Sequence, residues 1–255
     1  MPASADTPLL SIVIPAYNEE KRLPESLEQV ARFVAGQEYP VEVIVVDNNS
    51  TDETGRIAAE FAAEFSYARA LFEGRQGKGA AVRTGMLSGT GEYLVICDAD
   101  FSMPVDEVPK FIPQNGNRYD VAIASREVKG AHRVGEPEYR HIMGRIFNLI
   151  VRLLAIPHVQ DTQCGFKSFR REVAQDVFSL QTIEGWGFDV EVLFIALKRK
   201  YRMIEIPITW YYKPQSRINP VRDSVNMVLE VLRVRINGLR GLYDRKKSDP
   251  ATRAV

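Results

Sequence analysis

The sequence has few of the side chains that carry most nucleophilic and zinc chemistry. Its 255 residues include three histidines and two cysteines, Cys97 and Cys164. Two cysteines are too few for a disulfide framework, have no zinc-ligand spacing and favour a reducing, cytoplasmic compartment. No Ser/His/Asp arrangement is visible either. We therefore expect neither a disulfide-stabilised secreted domain nor a zinc or triad enzyme.

Long apolar runs are also missing. The best candidate for a membrane span, residues 146–156, is short and is interrupted by Asn148 and Arg152, whereas a span needs about 18 apolar residues. The first residues, MPASADTPLL, do not have the pattern of a signal peptide. Hydrophobic residues make up 45% of the chain and charged residues 26%, as in a soluble globular protein with one large or two small domains.

The balanced charge of 33 basic and 33 acidic residues conceals an asymmetry. Residues 1–120 carry 10 basic and 19 acidic side chains, and residues 121–255 carry 23 and 14. This division favours a cation in the first half and an anionic partner for the second, although chance clustering of surface charge gives the same pattern. The basic residues are not interleaved with aromatic ones, so we expect no nucleic acid partner.

Apolar runs typical of strands alternate with helical periodicity. The predicted strands are 9–14, 41–47, 67–72, 92–98, 120–125 and 203–209. The predicted helices are 23–34, 54–65, 79–88, 139–154, 171–180, 188–200 and 221–240, with Ser50 and Glu53 spaced as a capping box before the second. This order predicts an α/β fold with a mostly parallel sheet flanked by helices, and a ligand site beyond the carboxyl ends of the strands.

Polar residues follow several of these strands. Asp98 and Asp100 come directly after the apolar run YLVIC, so both carboxylates can face one Mg²⁺ or Mn²⁺ together with substrate phosphates. Acidic residues that merely terminate a strand look the same. Asp47 is a candidate acceptor for a base or ribose, and the polar residues after it, 48–52, are as easily a capped turn. The run GRQGKG (74–79) lacks Walker A spacing but could place Lys78 and Arg83 near a diphosphate.

Taken together, these segments resemble family 2 glycosyltransferases with a GT-A fold. The matching runs are SIVIPAYNEE (11–20), VVDNNSTDET (45–54), GKGAAVRTGM (77–86), ICDAD (96–100), DTQCGFKSFRR (161–171) and GWGFDVEVLFIA (185–196). The second half is most similar to the dolichyl-phosphate β-glucosyltransferase branch, with the mannose synthases as close relatives. The resemblance implies one GT-A domain over 8–242, with a nucleotide-sugar half (8–125), an acceptor half (126–242) and flexible ends (1–7 and 245–255).

The resemblance also implies roles for individual residues. Those implied at the nucleotide sugar are Pro15, Tyr17, Asn18, Glu19, Asp47, Lys78, Asp98, Ala99 and Asp100. Asp98 and Asp100 would bind the metal, and Ser102 stands where relatives often have a third polar ligand, commonly Gln, so a water can intervene. Arg126, Arg140 and Arg145 match positions that bind a lipid phosphate, which suits the planar guanidinium.

Two further acidic residues are open to more than one interpretation. Asp189 lies where acceptor-activating bases occur in relatives with hydroxyl acceptors, and it could instead bind sugar hydroxyls or cap its helix. Asp161, with Gln163, could line the sugar pocket. Cys164 is interpreted as a packed small residue. The residues expected to carry catalysis are Asp98, Asp100, Arg126, Arg140 and Asp189.

The implied reaction is an inverting, metal-dependent transfer of a hexose, with glucose favoured, from UDP-glucose to a polyprenyl or dolichyl phosphate. The acceptor phosphate, with a second pKa of about 6, needs no strong general base. We expect a cytoplasmic protein in peripheral contact with a membrane through the helices near 139–154 and 221–240. The alternatives are a GDP-mannose-dependent enzyme, a sugar nucleotidyltransferase and a non-catalytic membrane-surface scaffold.

Overall fold

The structure, a computed structural model, describes residues 7–113, 119–213 and 222–244. Its strands are β1 (Leu10–Ala16), β2 (Val41–Asp47), β3 (Ala68–Phe72), β4 (Tyr93–Ile96), β5 (Val121–Ser125), β6 (His132–Val134), β7 (Lys167–Arg170), β8 (Met203–Pro207) and β9 (Thr209–Tyr211). Its helices are α1 (Leu23–Ala35), α2 (Thr54–Glu64), α3 (Lys78–Ser88), α4 (Glu138–Leu154), α5 (Arg171–Leu180), α6 (Phe188–Lys198) and α7 (Arg222–Leu239), with a 3-10 helix at Val105–Phe111.

Seven strands form one sheet in the order β3-β2-β1-β4-β7-β5-β8. Its neighbours pair in parallel except β7, which runs antiparallel to both β4 and β5. The short strands β6 and β9 pair with each other in a second, two-stranded sheet. The predicted α/β fold with a mostly parallel sheet is confirmed.

Side chains alternate between the two faces of the sheet, and each face has its own apolar core. Along β1, Ile12 and Ile14 pack with α1, α2 and the 3-10 helix. Val13, between them, packs on the other face with α3, α5 and α6, joined there by Val231 and Val234 of α7. Burial on both faces explains why β1 and β2 read as continuous apolar runs in the sequence. Among the helices of the described ranges, none is long and apolar enough to cross a membrane.

The structure departs from the predicted elements at a few places. Strand β7 was not predicted, because its four residues, KSFR, carry a buried lysine in place of an apolar side chain. The capping box was also wrong. Ser50 Oγ accepts a hydrogen bond from the Asn18 backbone instead, and Asp52 Oδ1 accepts one from the Thr54 amide at the start of α2. Apart from Thr7, the ends expected to be flexible (1–7 and 245–255) lie outside the described residues.

Candidate active site

The loops that follow β1 and β2 are tied to each other. The strand register pairs Ala16 with Asp47, so the next residues of the two strands lie side by side. Asn18 Oδ1 accepts a hydrogen bond from the Thr51 amide at 2.7 Å, and Thr54 Oγ1 accepts one from the Glu19 amide at 2.6 Å. Asn18 has a φ of 51°, a left-handed conformation that Asn tolerates. The residues implied at the nucleoside are thus gathered in one place.

Asp47 and Tyr17 lie at the edges of this paired loop. Asp47 Oδ1 accepts the Ser50 amide at 3.1 Å, and its carboxylate packs against Gly55, where an added Cβ would lie 3.0 Å from Oδ2. Tyr17 follows Pro15 and Ala16 and is 38% exposed, and its hydroxyl receives a hydrogen bond from Gln76 Nε2 at 3.3 Å. An aromatic ring and a carboxylate at one edge of the sheet suit a nucleoside.

A buried asparagine holds the loop before α3. Asn48 Nδ2 donates to the Arg75 carbonyl at 2.7 Å, and Asn48 Oδ1 accepts the Gly77 amide at 2.8 Å. Gly77 has a φ of 145°, and an added Cβ there would lie 2.2 Å from the Glu184 carbonyl oxygen. Only glycine fits such a position. The loop therefore delivers Lys78, the first residue of α3, to a fixed point.

Lys78 points at the first aspartate of the acidic pair. Its Nζ lies 2.5 Å from Asp98 Oδ1 and 5.4 Å from the centre of the Trp186 ring. Burial works against the charged ammonium, but the nearby carboxylates of Asp98, Asp189 and Asp100 outweigh that effect and raise the pKa of Lys78. The site thus places an ammonium group beside the acidic pair.

The antiparallel strand β7 brings a glycine against Asp98. Ile96 pairs with Lys167 across β4 and β7, and continuing that register places Gly165 opposite Asp98. An added Cβ on Gly165 would lie 1.9 Å from Asp98 Oδ2, far inside van der Waals contact. The carboxylate is therefore held between the backbone at Gly165 and the Lys78 ammonium.

Replacing Gly165 should disable the site without disturbing the core. Gly165→Ala forces the Asp98 carboxylate to move, and a shift of about 1 Å at a reacting group can cost about 100-fold in rate. We expect the initial rate of the sugar transfer that the resemblance implies to fall at least about 100-fold, with the circular dichroism spectrum unchanged. Gly144→Ala is the matched control, because an added Cβ on Gly144 meets nothing within 4 Å. A wild-type rate in Gly165→Ala would show that the position of Asp98 does not matter.

Asp100 is oriented from its own turn. Asp100 Oδ1 accepts the Ser102 amide at 2.9 Å, and the Ser26 hydroxyl donates to the Ala99 carbonyl at 2.6 Å. Arg22 lies nearby, and its pKa is raised above the usual value. The main cause is its hydrogen bond to Glu19; the charge of Asp100 adds to the rise, and burial opposes it. Ser102 is buried, and its amide rather than its hydroxyl makes the recorded contact with Asp100.

The donor set fits a hard divalent cation shared with a substrate. In the described part of the chain, no group of three or more His, Cys, Asp or Glu residues is arranged to hold a metal ion. Asp98 and Asp100 offer two carboxylates, and Mg²⁺ is typically bound by one or two carboxylates while phosphate oxygens and waters complete its shell. The acidic pair therefore fits Mg²⁺ or Mn²⁺ that is bound together with a diphosphate.

Asp189 forms a buried ion pair that the sequence did not reveal. Lys167 is fully buried, and its Nζ donates to the Cys164 carbonyl at 2.6 Å and to Asp189 Oδ1. Asp189 lies in the first turn of α6, but Gly187 is the N-cap residue there and no side chain caps the helix. The helix-cap interpretation of Asp189 is therefore wrong. Its carboxylate accepts a hydrogen bond from the Lys167 ammonium and is near enough to Lys78 for its charge to raise the pKa of that lysine.

Arg126 forms an ion pair with Asp161 through two parallel hydrogen bonds. The Nε–Oδ2 distance is 2.8 Å, the Nη2–Oδ1 distance is 3.0 Å, and the Arg126 amide also donates to Oδ2. The guanidinium lies 5.3 Å from the centre of the Trp210 ring. Burial alone would raise the pKa of Asp161, but Arg126 outweighs it and lowers that pKa to about 2. Asp161 is thus a fixed carboxylate that orients Arg126.

The two other acceptor arginines lie on α4. Arg140 Nη1 donates to the Tyr212 hydroxyl at 2.9 Å. Arg145 is 67% exposed, and its Nη1 lies 3.9 Å from a Glu127 oxygen. Arg133 connects this region with the end of β5, because it pairs with Glu127 at 2.5 Å. Arg126, Arg140 and Arg145 thus each have a different partner, namely Asp161, Tyr212 and Glu127.

Sequence reasoning misplaced one candidate and missed others. Arg83 Nε donates to the Phe178 carbonyl at 3.0 Å on the side of α5, so the prediction that Arg83 lies near a diphosphate is wrong. Gly165, Lys167 and Trp186 were not singled out. A lysine inside the apolar run GFKSF was the available signal, since a strand lysine that is buried needs a carboxylate partner.

The fold and the strand-end site define a nucleotide-binding α/β enzyme, with carboxylates and a lysine where a diphosphate is bound in such sheets. The sequence model of glycosyl transferase family 2 matches residues 11–178, so the chain belongs to that family. It is therefore a glycosyltransferase that uses a nucleotide sugar, as the resemblance implied. A sugar nucleotidyltransferase and a non-catalytic scaffold are set aside by this assignment.

Relatives and solved structures support the assignment. The chain is 32% identical to a dolichyl-phosphate beta-glucosyltransferase of Homo sapiens, covering 95% of this chain and 80% of that protein. It is also 32% identical to one of Saccharomyces cerevisiae, covering 93% and 78%. Glucosyl-3-phosphoglycerate synthase from Mycobacterium tuberculosis in complex with UDP has the same fold, with a TM-score of 0.66 at 20% identity over 94% of this chain and 82% of that one.

Proposed function

We propose that the protein transfers glucose from UDP-glucose to a polyprenyl phosphate, with inversion at the sugar carbon. The observation that carries the proposal is the position of residues 164–167 between the ends of β4 and β5. Gly165 packs against Asp98 on one side. On the other side the Cys164 thiol interacts electrostatically with Arg126. Burial, the largest effect, raises the pKa of Cys164 to about 11, and the charge of Arg126 opposes that rise. The acidic pair and the first acceptor arginine therefore border one segment of chain.

The named relatives support the substrates. Those of human and yeast are dolichyl-phosphate beta-glucosyltransferases at 32% identity. The Mycobacterium tuberculosis synthase has been solved with Mn²⁺ and UDP-glucose, and also with Mg²⁺ and UDP. The names of these relatives share glucosyl transfer and a phosphate-bearing partner, dolichyl phosphate in one case and phosphoglyceric acid in the other, and both features suit the charges of the site.

On the donor side, Asp98 and Asp100 would hold a divalent cation, which would neutralise charge on the leaving diphosphate. Lys78 can donate to a diphosphate oxygen because its ammonium already faces the acidic pair at 2.5 Å. Asp47 and Tyr17 border the nucleoside, with Pro15, Asn18 and Glu19 shaping that loop and Ala99 placing the acidic turn. Ser102 contributes through its amide, which fixes Asp100.

On the acceptor side, the phosphate oxygen forms the bond to C1 while the bond from C1 to the diphosphate oxygen breaks. The phosphate is largely dianionic at neutral pH because its second pKa is about 6, so no strong base is needed. Two phosphates about 4–5 Å apart repel by several kcal/mol at intermediate dielectric. Arg126, Arg140 and Arg145 offset that repulsion and orient the acceptor. Asp189, held by Lys167 and close to Lys78, would orient groups on the sugar.

The donor is tested by ligand protection against heat. With Mn²⁺ present, a ligand at about 100 times its Kd stabilises the folded state by about 2.7 kcal/mol, or about 5–10 °C in Tm for a domain of this size. We expect UDP-glucose to give the largest rise among UDP-glucose, UDP-galactose, UDP-N-acetylglucosamine and GDP-mannose at equal concentration. A larger rise with GDP-mannose would overturn the donor and favour the mannosyltransferase alternative.

A further inference from the structure

Helix α4 carries an exposed apolar stripe on the side away from the core. Each stripe residue lies three or four residues from another, and all are 44–78% exposed: Tyr139, Ile142, Met143, Ile146, Leu149 and Leu153. The opposite flank packs inward through Val151, with Phe147 and Leu154 against the same core. The helix is thus apolar on two sides, and within residues 7–113, 119–213 and 222–244 only one of them is covered by protein.

Helix α7 repeats the arrangement. Its exposed apolar residues, again three or four apart, are Leu229, Leu232, Ile236 and Leu239, with exposures between 41% and 82%. Met227, Val231 and Val234 fill the other side and are buried. The helices α4 and α7 contact each other. Large exposed apolar patches on a folded protein mark interaction sites.

The charges around the two stripes are mostly positive. Arg233 is exposed on α7 and Arg240 is exposed directly after its last residue, each four residues after a stripe residue. Arg145 and the half-buried Arg152 flank the stripe of α4. Among the described side chains of the two helices, the acidic ones are Glu138, at the first residue of α4, and Glu230, which turns inward and accepts the Gly187 amide at 2.7 Å.

We propose that these two stripes form a docking surface that lies flat on an anionic lipid bilayer. An amphipathic helix whose apolar face is bordered by arginines is the form that binds in the plane of such a surface. A second copy of the chain fits less well, because protein–protein interfaces are depleted in charge at their core and two such surfaces would bring their arginines together. The inference rests on the proposed function in one respect: a lipid acceptor is the reason for the protein to bind a bilayer.

The docking surface is connected to the site through α7. Glu230, on the inner side of the helix, fixes the Gly187 amide, and the neighbouring Trp186 ring lies 5.4 Å from Lys78 Nζ. On α4, Arg140 and Arg145 belong to the first turns of the same helix that carries the stripe. A phosphate group at the bilayer surface would therefore lie beside the proposed acceptor arginines.

Vesicle co-sedimentation tests the proposal without any substrate. The vesicles are phosphatidylcholine alone or an equal mixture with phosphatidylserine, and contain neither polyprenyl phosphate nor nucleotide sugar. We expect the wild type to bind the mixed vesicles at least tenfold more tightly than the neutral ones. Leu232→Glu with Ile236→Glu should abolish binding. Arg233→Gln with Arg240→Gln should weaken it by about fivefold per arginine, the effect of one basic residue near an anionic surface.

Two controls and one independent readout decide the outcome. Phe72→Glu changes an apolar residue that is 65% exposed on β3, and Arg32→Gln removes an exposed arginine of α1; both should bind like the wild type. Transfer to a short-chain polyprenyl phosphate in detergent should persist in the docking variants. Weak binding by the wild type, equal binding to both vesicles, or a dimer in light scattering that these variants dissociate would overturn the docking surface. Loss of transfer with intact docking would overturn only the proposed function.

Discussion

Asp98→Asn should lower the rate of sugar transfer about a thousandfold. The substitution removes a carboxylate from the pair proposed to hold the cation, and it also leaves the Lys78 ammonium facing a neutral amide instead of the carboxylate oxygen that lies 2.5 Å away. Loss of one preorganised charge at a transferring diphosphate costs about 100- to 1000-fold in kcat, and weaker cation binding adds to that loss. The measurement is the initial rate of labelled sugar transfer at saturating donor and Mn²⁺.

The control for this variant is Asp106→Asn. Asp106 lies exposed on the 3-10 helix that follows the acidic pair, so it shares the charge change but not the site. We expect it to keep the wild-type rate. Chelation of divalent metal from the wild type should reproduce the Asp98→Asn rate. A variant that retained more than a tenth of the wild-type rate would contradict the role given to Asp98.

Asp161→Asn should cost about 3–5 kcal/mol in the free energy of unfolding. Asp161 is buried and holds Arg126 through paired hydrogen bonds. Removing one partner of a buried ion pair leaves the other charge buried without compensation, which costs about 3–5 kcal/mol in the free energy of unfolding. Urea unfolding monitored by circular dichroism measures it. Glu60→Gln, which breaks an exposed pair with Arg56 on α2, should change stability by less than about 1 kcal/mol.

The same pair predicts how stability depends on pH. The pKa of Asp161 is lowered to about 2 from an ordinary 3.8, so the folded protein binds this proton more weakly than the unfolded chain does. The stabilisation is therefore fully present above about pH 4 and is lost as the pH falls towards 2. The wild type should lose about 2 kcal/mol more than Asp161→Asn across that interval. Parallel acid titrations of the two proteins would contradict the assignment.

Local sequence patterns predicted most of the sheet because they report directly on burial. Strands β1, β2 and β5 are predominantly apolar, as strands covered on both faces are. The acidic pair was predictable for the same reason, since Asp98 and Asp100 come directly after such a run and the ends of parallel strands meet at one edge. In these regions each residue's environment depends mainly on its near neighbours in the chain.

Contacts between distant segments were not predictable. Arg126 meets Asp161 across 35 residues, and Lys167 meets Asp189 across 22, and no local period indicates either pair. Strand β7 pairs antiparallel between two parallel strands, so its position depends on the whole sheet. Periodicity also could not tell which apolar side of α4 is buried. The sequence indicated the helices near 139–154 and 221–240 as surfaces for a membrane, but which of their residues are exposed became visible only in the structure.

The most direct test of the central claim is the movement of label from a nucleotide sugar into a lipid. Purified protein, Mn²⁺, a polyprenyl phosphate and UDP-glucose labelled in the sugar are mixed, and label in the organic phase is counted. We predict label that depends on the polyprenyl phosphate, is lost on chelation, and is nearly absent with Asp98→Asn. Label from GDP-mannose alone would keep the chemistry and change the sugar. No label in the lipid from either donor, although UDP-glucose binds, would contradict the lipid phosphate acceptor and the roles given to Arg126, Arg140 and Arg145.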